Sequence, residues 1–186
     1  MRRLILSLAA ALLAGCGSDS GGSPIGTASF SGTVHGQPFS PKDALSGSTS
    51  TGGGHSASVL VITDRAGLCS LPGATPKNGR AMVVLLSDNN ATPTAAGTFQ
   101  VTGILSSNPP PKVAYVLFFV YDNTCNDVSA QEASGASGTV TLTQPGNALA
   151  GSFDFTFDSG DHVTGTFAAG ACAGFSTSAD AGSSCQ

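Results

Sequence analysis

Residues 152–167 read SFDFTFDSGDHVTGTF, and this stretch decides the fold class. Apolar residues alternate with polar ones on both sides of the segment DSG. The positions that share one face are Phe153, Phe155, Phe157, Val163, Gly165 and Phe167. Successive side chains of a β-strand point to opposite faces, so this alternation predicts strands with one buried and one solvated face. The stretch therefore predicts an antiparallel hairpin whose phenylalanines face a core.

The turn of this hairpin has a predictable length because cross-strand partners must share a face. A two-residue loop would pair apolar residues with polar ones, whereas a three-residue loop of residues 158–160 pairs Phe155 with Val163. The same register pairs Phe153 with Gly165 and Gly151 with Phe167. We expect Gly160 at the left-handed position of a type I turn with a bulge, a conformation that glycine adopts without steric cost.

The period of two continues along most of the chain, and hardly any segment shows the 3.6-residue period of a helix. Gly, Pro, Asn and Asp punctuate the apolar segments at turn positions. Strands are predicted near residues 28–35, 43–50, 56–63, 80–87, 97–102, 113–121, 138–144, 148–157 and 161–168. The predicted fold class is all-β, a single antiparallel β-sandwich or flattened up-and-down β-barrel of about eight or nine strands.

Three of these strands are apolar on both faces, at residues 57–62, 81–86 and 113–121. The last reads VAYVLFFVY, without a charge. In a barrel surrounded by water, one face of such a strand would be open and prone to aggregation. We therefore expect a cover for these faces. Loops or the C-terminal tail could supply it in a sandwich, and the alternatives are a partner, a second copy or a bound apolar ligand.

The first 15 residues have the three parts of a secretory signal. They are the cationic pair Arg2 and Arg3, an apolar core over residues 4–13, and small residues before Cys16. The apolar core is about half the roughly 20 residues that a transmembrane helix needs. A cleaved export signal is therefore a better interpretation than a permanent membrane span.

Four consecutive residues close this leader: Leu13, Ala14, Gly15 and Cys16. The quartet resembles the lipobox of bacterial lipoproteins. The resemblance implies that a diacylglycerol is attached to the Cys16 sulfur, that the chain is cut just before Cys16, and that the new amino group is acylated. Two or three acyl chains would hold the protein persistently at a membrane. The alternative is an ordinary cleaved signal whose cysteine is accidental.

The resemblance also bears on location in the cell envelope. Members of the family that stay in the inner membrane often carry aspartate after the cysteine, and this chain has Gly17 there. The outer membrane is therefore favoured over the inner one, with the membrane itself as a partner through the lipid anchor.

Composition divides the chain into four segments. We expect a signal peptide at 1–15, the lipidated cysteine and a flexible tether at 16–26, an all-β domain at 27–172, and an irregular C-terminal tail at 173–186. The tether, GSDSGGSPIG after Cys16, would have a root-mean-square reach of about 17 Å. Removal of 15 residues from 186 would leave 171, which is the size of one domain.

The charge balance excludes a class of partners. The chain has 7 basic and 11 acidic residues, and loss of Arg2 and Arg3 with the leader would leave 5 basic against 11 acidic, or a net charge of −6. The charges are few and scattered along the sequence. Because nucleic-acid binders carry a basic stripe, we expect no nucleic-acid partner.

Besides Cys16, four cysteines remain: Cys69, Cys125, Cys172 and Cys185. An oxidising compartment favours two disulfides among them, with three possible connectivities. If the strands alternate up and down, Cys69 and Cys172 lie at one end of the domain and Cys125 lies at the other. The preferred pairs are therefore Cys69 with Cys172 and Cys125 with Cys185. Free buried thiols are the alternative, and the absence of a CxxC pair leaves little support for zinc or redox chemistry.

Signatures of catalysis are missing from the sequence. It contains no GxSxG, HExxH or SxxK motif and no glycine-rich phosphate loop between a strand and a helix. Asp43 and Asp64 have the positions of strand-end or loop residues. We therefore expect no enzyme, no cofactor and no catalytic residue.

Two acidic groupings could bind a cation. Residues 122–127, DNTCND, offer oxygen ligands for calcium but lack the ligand order of an EF-hand, and turn chemistry explains them as well. In the predicted hairpin, His162 lies opposite Thr156 on the polar face, with Asp154 and Asp158 at the diagonals. Polar residues that alternate along a strand are usually the solvated side of a sheet, so no metal site is predicted.

These observations leave two hypotheses of function. The first is a membrane-anchored extracytoplasmic lipoprotein whose non-enzymatic β-domain binds a protein partner or scaffolds the envelope. The second is a carrier of a small apolar ligand, similar to lipocalins, although the chain lacks the tryptophan of that family. An apolar cavity of a few hundred Å³ inside the domain would favour the carrier, and a solid core would count against it.

Overall fold

The computed structural model describes residues 25–51, 55–70, 74–103, 109–172 and 184–185. In this part of the chain the structure is almost entirely β, with two short 3₁₀ helices at Leu68–Ser70 and Ser129–Gln131. Neither of these helices is long and apolar enough to cross a membrane. The strands are β1 (Thr27–Ser31), β2 (Thr33–Val34), β3 (Gln37–Pro38), β4 (Asp43–Thr51), β5 (His55–Thr63), β6 (Ala74–Thr75), β7 (Arg80–Asp88), β8 (Gly97–Val101), β9 (Lys112–Val120), β10 (Ala133–Gln144), β11 (Leu149–Phe157), β12 (His162–Ala171) and β13 (Ser184–Cys185).

Eight of these strands form a closed barrel in the order β12, β11, β10, β8, β9, β7, β5 and β4. The barrel closes where β4 pairs with the end of β12, through Leu45 with Gly170 and Ser46 with Ala171. β1 is an additional strand that pairs with the other part of the same edge of β12. The prediction of an all-β fold with eight or nine strands is thus confirmed. The barrel is mixed, however, because the β12–β4 and β8–β9 pairs are parallel.

The hairpin formed by β11 and β12 has the predicted register. Phe155 lies opposite Val163, and the other pairs follow, namely Phe153 with Gly165, Gly151 with Phe167 and Thr156 with His162. The Gly160 N–H donates to the Phe157 carbonyl at 3.0 Å, and Gly160 has a φ of 86°. The predicted left-handed glycine of the turn is confirmed.

Two predicted strands differ in extent from those observed. The strand predicted at 28–35 ends at Ser31, because Gly32 takes a φ of 113° and the chain then forms the β2–β3 hairpin. The strand predicted from 138 begins at Ala133 instead. Its first residues are small because neighbours crowd them: a Cβ on Gly135 would lie 2.7 Å from Val101 Cγ1. Small residues carry little β-propensity, so alternation alone did not mark this extension.

The barrel interior is filled by side chains. Phe153, Phe155 and Phe157 are at most 3% exposed, and the Phe155 and Phe157 rings meet edge to face with centroids 4.9 Å apart. Phe118 from β9 packs against Phe157, and Phe39 packs against Phe118. Aliphatic residues from the opposite wall complete the same cluster. The described barrel therefore has one continuous apolar core, built from the alternation that the sequence displays.

A second apolar cluster lies outside the barrel, on the outward faces of β5 and β7. Val59, Val61 and Ala81 form its centre, and Leu68 and Cys69 of the first 3₁₀ helix pack over it. The adjoining outward residues of β9, Tyr115, Leu117 and Phe119, are half-buried. A loop of the same chain therefore covers part of the outward apolar face of these strands.

Two disulfides join the pairs preferred from the sequence: Cys69 with Cys172, and Cys125 with Cys185, at Cα separations of 5.5 and 5.6 Å. The reason for that preference was wrong. β8 and β9 run in the same direction, so the loop after β9 lies beside the loop after β5, where the Asn78 N–H donates to the Asp122 carbonyl at 2.8 Å. The stagger between β12 and β4 brings Cys172 to the same end, with its N–H 2.9 Å from the Ser46 carbonyl.

The segment predicted to be an irregular tail contains a short element of regular structure. β13, at Ser184–Cys185, pairs in parallel with β6. The disulfide to Cys125 brings this end of the chain to the loops beside β6, so that backbone pairing becomes available.

Candidate functional site

An open cleft of about 500 Å³ lies at the end of the barrel where β7 begins and β9 ends. The β2–β3 hairpin and the second 3₁₀ helix form its other sides. Its lining residues are Val34, His35, Gln37, Arg80, Phe118, Val120 and Gln131. The cleft thus combines an apolar floor with amide, imidazole and guanidinium groups, a mixture that suits recognition of an amphipathic molecule.

The β2–β3 hairpin owes its position to its two turn residues and to one carboxylate. His35 and Gly36 both have positive φ, 49° and 70°, as a tight two-residue hairpin turn requires. Asp161 accepts hydrogen bonds from the Thr33 hydroxyl at 2.9 Å and from the His35 N–H at 2.8 Å. The Ser159 hydroxyl, then Thr33 and the backbone N–H groups of the hairpin, lower the pKa of Asp161. The charged carboxylate therefore ties this wall of the cleft to the β11–β12 turn.

Arg80 forms the cationic wall of the cleft in a fixed orientation. Its Nε lies 3.1 Å from Asp64 Oδ2, and its Nη1 donates to the Pro38 carbonyl at 2.7 Å. Its guanidinium also lies over the Phe39 ring, 5.7 Å from the centroid. The arginine is therefore held by three independent contacts, which leave part of the guanidinium edge toward the cleft.

Beside the cleft, four of the five described cations lie at one end of the barrel. We call Lys42, Arg65, Lys77 and Arg80 the cationic cluster. Arg65 joins its parts, because its Nη2 donates to the carbonyls of Lys77 and Asn78 at 3.1 and 3.0 Å. The Lys42 N–H donates to the Thr63 carbonyl at 2.8 Å, next to Asp64 and Arg65. Charges scattered along the sequence thus converge in space.

The fifth described cation, Lys112, lies far from this cluster. It begins β9 and forms an ion pair with Asp88 at 3.4 Å. Asp88 is eight residues along β7 from Arg80, which corresponds to about 26 Å of strand. Four of the five described cations therefore lie at the end where β7 begins, and Lys112 lies at the other end.

Asp43 is the residue whose role the sequence did not reveal. It is 0% exposed, and its Oδ1 accepts hydrogen bonds from Ile25, Gly26 and Ala44 at 2.9, 3.1 and 2.9 Å. Its Oδ2 accepts from the Gly67 N–H at 3.0 Å. A buried carboxylate needs such donors, and here they come from the segment before β1 and from the loop after β5. Asp43 thus fixes the start of the domain beside Lys42. The sequence signal for this role was a single carboxylate at the first position of an apolar strand.

The remaining site residues considered from sequence are Cys16 and the acidic group around His162. Cys16 lies outside the described residues. His162 Nε2 and Asp154 Oδ1 are 2.8 Å apart on the solvated face, while Asp158 turns away to accept the Ser134 N–H at 3.0 Å. Among the described residues, no group of three or more His, Cys, Asp or Glu side chains could hold a metal ion.

The 122–127 segment forms a self-contained turn. Asp122 Oδ1 accepts both the Thr124 hydroxyl and the Thr124 N–H at 2.7 Å, and the Asn126 N–H at 3.0 Å. These bonds, led by that from the Thr124 hydroxyl, lower the pKa of Asp122. These hydrogen bonds explain the Asp and Asn residues of the segment as parts of a turn, which was the alternative to a calcium site.

Tyr121 directly follows β9 and begins the same loop. Burial, followed by the charges of Asp127 and Glu132, raises its pKa to about 12. Its phenol therefore stays protonated at neutral pH and acts as a neutral hydrogen-bonding group.

Comparison with known proteins gives no further guidance. No protein-family model, no curated protein and no solved structure matches this chain.

Proposed function

We propose that the chain is a lipid-anchored extracytoplasmic protein of the cell envelope whose β-barrel acts by binding and not by catalysis. The cluster of buried apolar side chains inside the barrel carries this proposal, because the outer surface and the end cleft are then the places where the described barrel can meet another molecule. A protein partner or a scaffolding contact in the envelope would use these surfaces.

The anchor draws its support from the leader and from the way the domain begins. Leu13, Ala14, Gly15 and Cys16 resemble a lipobox, and the two disulfides suit an oxidising compartment. Asp43 accepts hydrogen bonds from the Ile25 and Gly26 N–H groups, so a pull on the tether would be borne by partly buried hydrogen bonds. The outer membrane is the favoured location because Gly17 follows the cysteine.

The test of the anchor follows the processing of Cys16. Globomycin should cause the precursor to accumulate, and Cys16→Ser should prevent acylation, with mass spectrometry of the N-terminal peptide as the readout. Gly17→Ser serves as a matched control that keeps both acylation and membrane fractionation. Unchanged processing with globomycin, together with an unmodified Cys16 thiol, would overturn the proposal.

The end cleft favours a second candidate, a carrier of a small molecule. Its volume of about 500 Å³ falls in the range of ligand pockets, but it is open and half of its lining is polar. The ligand would therefore be amphipathic, and it would lie at the barrel end and not in the interior expected of a lipocalin-like carrier.

Binding of a fluorescent apolar probe such as 1-N-phenylnaphthylamine tests whether the protein is a carrier. Gln131→Trp should fill the cleft and weaken probe binding about tenfold, whereas Gln100→Trp, on the exposed face of β8, should not. Equal binding by both variants would leave the carrier without a site.

A further inference from the structure

We propose that the disulfide between Cys125 and Cys185 is a thiol–disulfide exchange site for a dithiol, whereas the disulfide between Cys69 and Cys172 is purely structural. The inference goes beyond the proposed binding function, because it concerns a covalent reaction of the folded domain and does not depend on the lipid anchor. Reduction at this site would release β13 from β6 and leave the barrel closed.

The first support is the difference in burial between the two disulfides. Each disulfide contains one half-buried residue, Cys69 in the first and Cys125 in the second. The other residues differ, because Cys172 is 6% exposed and belongs to the outer apolar cluster, whereas Cys185 is exposed. A thiolate must reach a sulfur atom for exchange to occur, and exposed disulfides are therefore the labile ones. A dithiol can reach Cys185 without any opening of the domain.

The second support is what surrounds each disulfide. Leu68 and Cys69 pack over the outer cluster, and the Cys172 N–H donates to the Ser46 carbonyl of β4 at 2.9 Å. By contrast, Cys185 belongs to β13, which has two residues and forms a sheet of two strands with β6. Two-stranded sheets are marginally stable by themselves. Opening of this disulfide would therefore separate a short peripheral strand and no strand of the barrel.

The third support is the loop that carries Cys125, because hydrogen bonds hold it in place without the disulfide. The Asp122 carbonyl accepts the Cys125 N–H at 3.2 Å and the Asn78 N–H at 2.8 Å. The Asp122 carboxylate accepts the N–H groups of Thr124 and Asn126 at 2.7 and 3.0 Å. Within this turn Cys125 has a φ of 62°. The loop therefore keeps its shape, and Cys125 its position, when the sulfur–sulfur bond opens.

The fourth support is a hydrogen-bond acceptor beside the Cys125 sulfur. Cys125 Sγ lies 3.2 Å from the carbonyl oxygen of Thr75 in β6. A disulfide sulfur has no proton to donate, whereas a thiol is a weak donor. The Thr75 carbonyl would therefore stabilise the reduced form of Cys125 and not the oxidised form. An interaction that differs between two states is what shifts the equilibrium between them.

The exchange balances with the dithiol as the reductant. One thiolate of the dithiol attacks Cys185 Sγ, the bond to Cys125 Sγ breaks, and the Cys125 sulfur leaves with the bonding electron pair and takes up a proton. The second thiolate then attacks the mixed disulfide and releases Cys185 as a thiol. The protein gains two thiols, the dithiol becomes a disulfide, and the two protons lost by the dithiol end on the two cysteines.

Stepwise reduction of the full-length folded chain tests the proposal. The protein is treated with dithiothreitol, free thiols are blocked with iodoacetamide at intervals, and mass spectrometry of the peptides assigns each label. We expect Cys125 and Cys185 to be labelled together, about tenfold faster than Cys69 and Cys172, because the outer cluster must open before Cys172 reacts. In urea that unfolds the protein, the two disulfides should react at similar rates. Equal rates in the folded protein, or faster reduction of the first disulfide, would overturn the proposal.

Matched variants and the folded state of the product sharpen the test. Cys125→Ala with Cys185→Ala should remove the fast reaction and keep the slow one, whereas Cys69→Ala with Cys172→Ala should keep the fast one. After the fast reaction of the wild type, circular dichroism should still show the β-structure of the oxidised protein. Loss of that signal together with the fast labelling would show that reduction unfolds the barrel, and would overturn the proposal.

A trapping experiment identifies the sulfur that the dithiol attacks. Thioredoxin in which the second cysteine of the CxxC motif is replaced by serine cannot resolve a mixed disulfide. With the folded wild type it should therefore accumulate as a mixed disulfide on Cys185. A mixed disulfide on Cys69 or Cys172 would contradict the assignment, and so would the absence of any mixed disulfide.

Discussion

Two walls of the barrel meet water in opposite ways. In the wall formed by β10, β11 and β12, called here the alternating wall, apolar residues face the core and polar residues face solvent. In the wall formed by β5, β7 and β9, called here the apolar wall, both faces are apolar, and a 3₁₀ helix and a disulfide cover part of the outside. The comparison shows that alternation indicates which face of a strand is buried. A continuous apolar run indicates instead that another segment or molecule must cover the second face.

The largest effect should come from the interior of the alternating wall. Phe155→Ala removes a side chain that is 1% exposed and in contact with two other rings, so it should lower the free energy of unfolding by about 4 kcal/mol. The adjacent Asp154→Ala, on the solvated face, should change it by less than about 0.5 kcal/mol. Urea unfolding measures both, and similar losses would show that the two faces are not distinct.

The cover of the apolar wall should give the next largest effect. Removing the first disulfide with Cys69→Ala and Cys172→Ala should cost about 4 kcal/mol, because it opens a 103-residue link and also loosens the outer cluster. Removing the second, with Cys125→Ala and Cys185→Ala, serves as the comparison and should cost about 3 kcal/mol, since Cys185 is exposed. An equal or greater loss for the second pair would contradict a role of the first in covering the wall.

A smaller effect should distinguish the outer faces directly. Val61→Thr keeps the shape of the side chain but places a hydroxyl in the outer cluster, where Val61 is 6% exposed, and should cost about 1.5 kcal/mol. The reverse change on the alternating wall, Thr164→Val at a half-buried position, should stay within about 0.5 kcal/mol. If thermal unfolding shows both variants equal to the wild type, then the outer face of β5 is not effectively buried.

The smallest effect at neutral pH concerns Tyr121, at the end of the apolar wall. Its pKa is raised from 10.0 to about 12, chiefly by burial, so the folded protein holds the phenol proton more tightly than the unfolded chain does. The stability from this group is fully present below about pH 10 and is lost as the pH rises toward 12. Tyr121→Phe should remove this part of the pH dependence, measured by urea unfolding from pH 9 to about 12. A phenol absorbance change centred near pH 10 for Tyr121 would contradict it.

Much of the fold was predictable from local pattern, and the candidate site was not. The strands around Phe153 and Val163 follow from alternation, and the turn follows from glycine chemistry, because both depend on residues close in sequence. The β2–β3 hairpin was missed because its strands are two residues each, too short to show a period. The cationic cluster was missed because Lys42, Arg65 and Lys77 meet through loop contacts that leave no spacing in the sequence.

The sequence by itself determined the strand content, the inward face of most strands, the register of the last hairpin and the need to cover three apolar segments. Side-chain periodicity is a local property, so it can be read without the fold. Only the tertiary structure decided that the sheet closes as a mixed barrel, that β8 and β9 run in the same direction, and that both disulfides lie at one end. These features depend on strand stagger and loop contacts between residues that are far apart in the sequence, more than a hundred positions for the β4–β12 pair and the first disulfide. Neighbouring residues carry no information about such contacts.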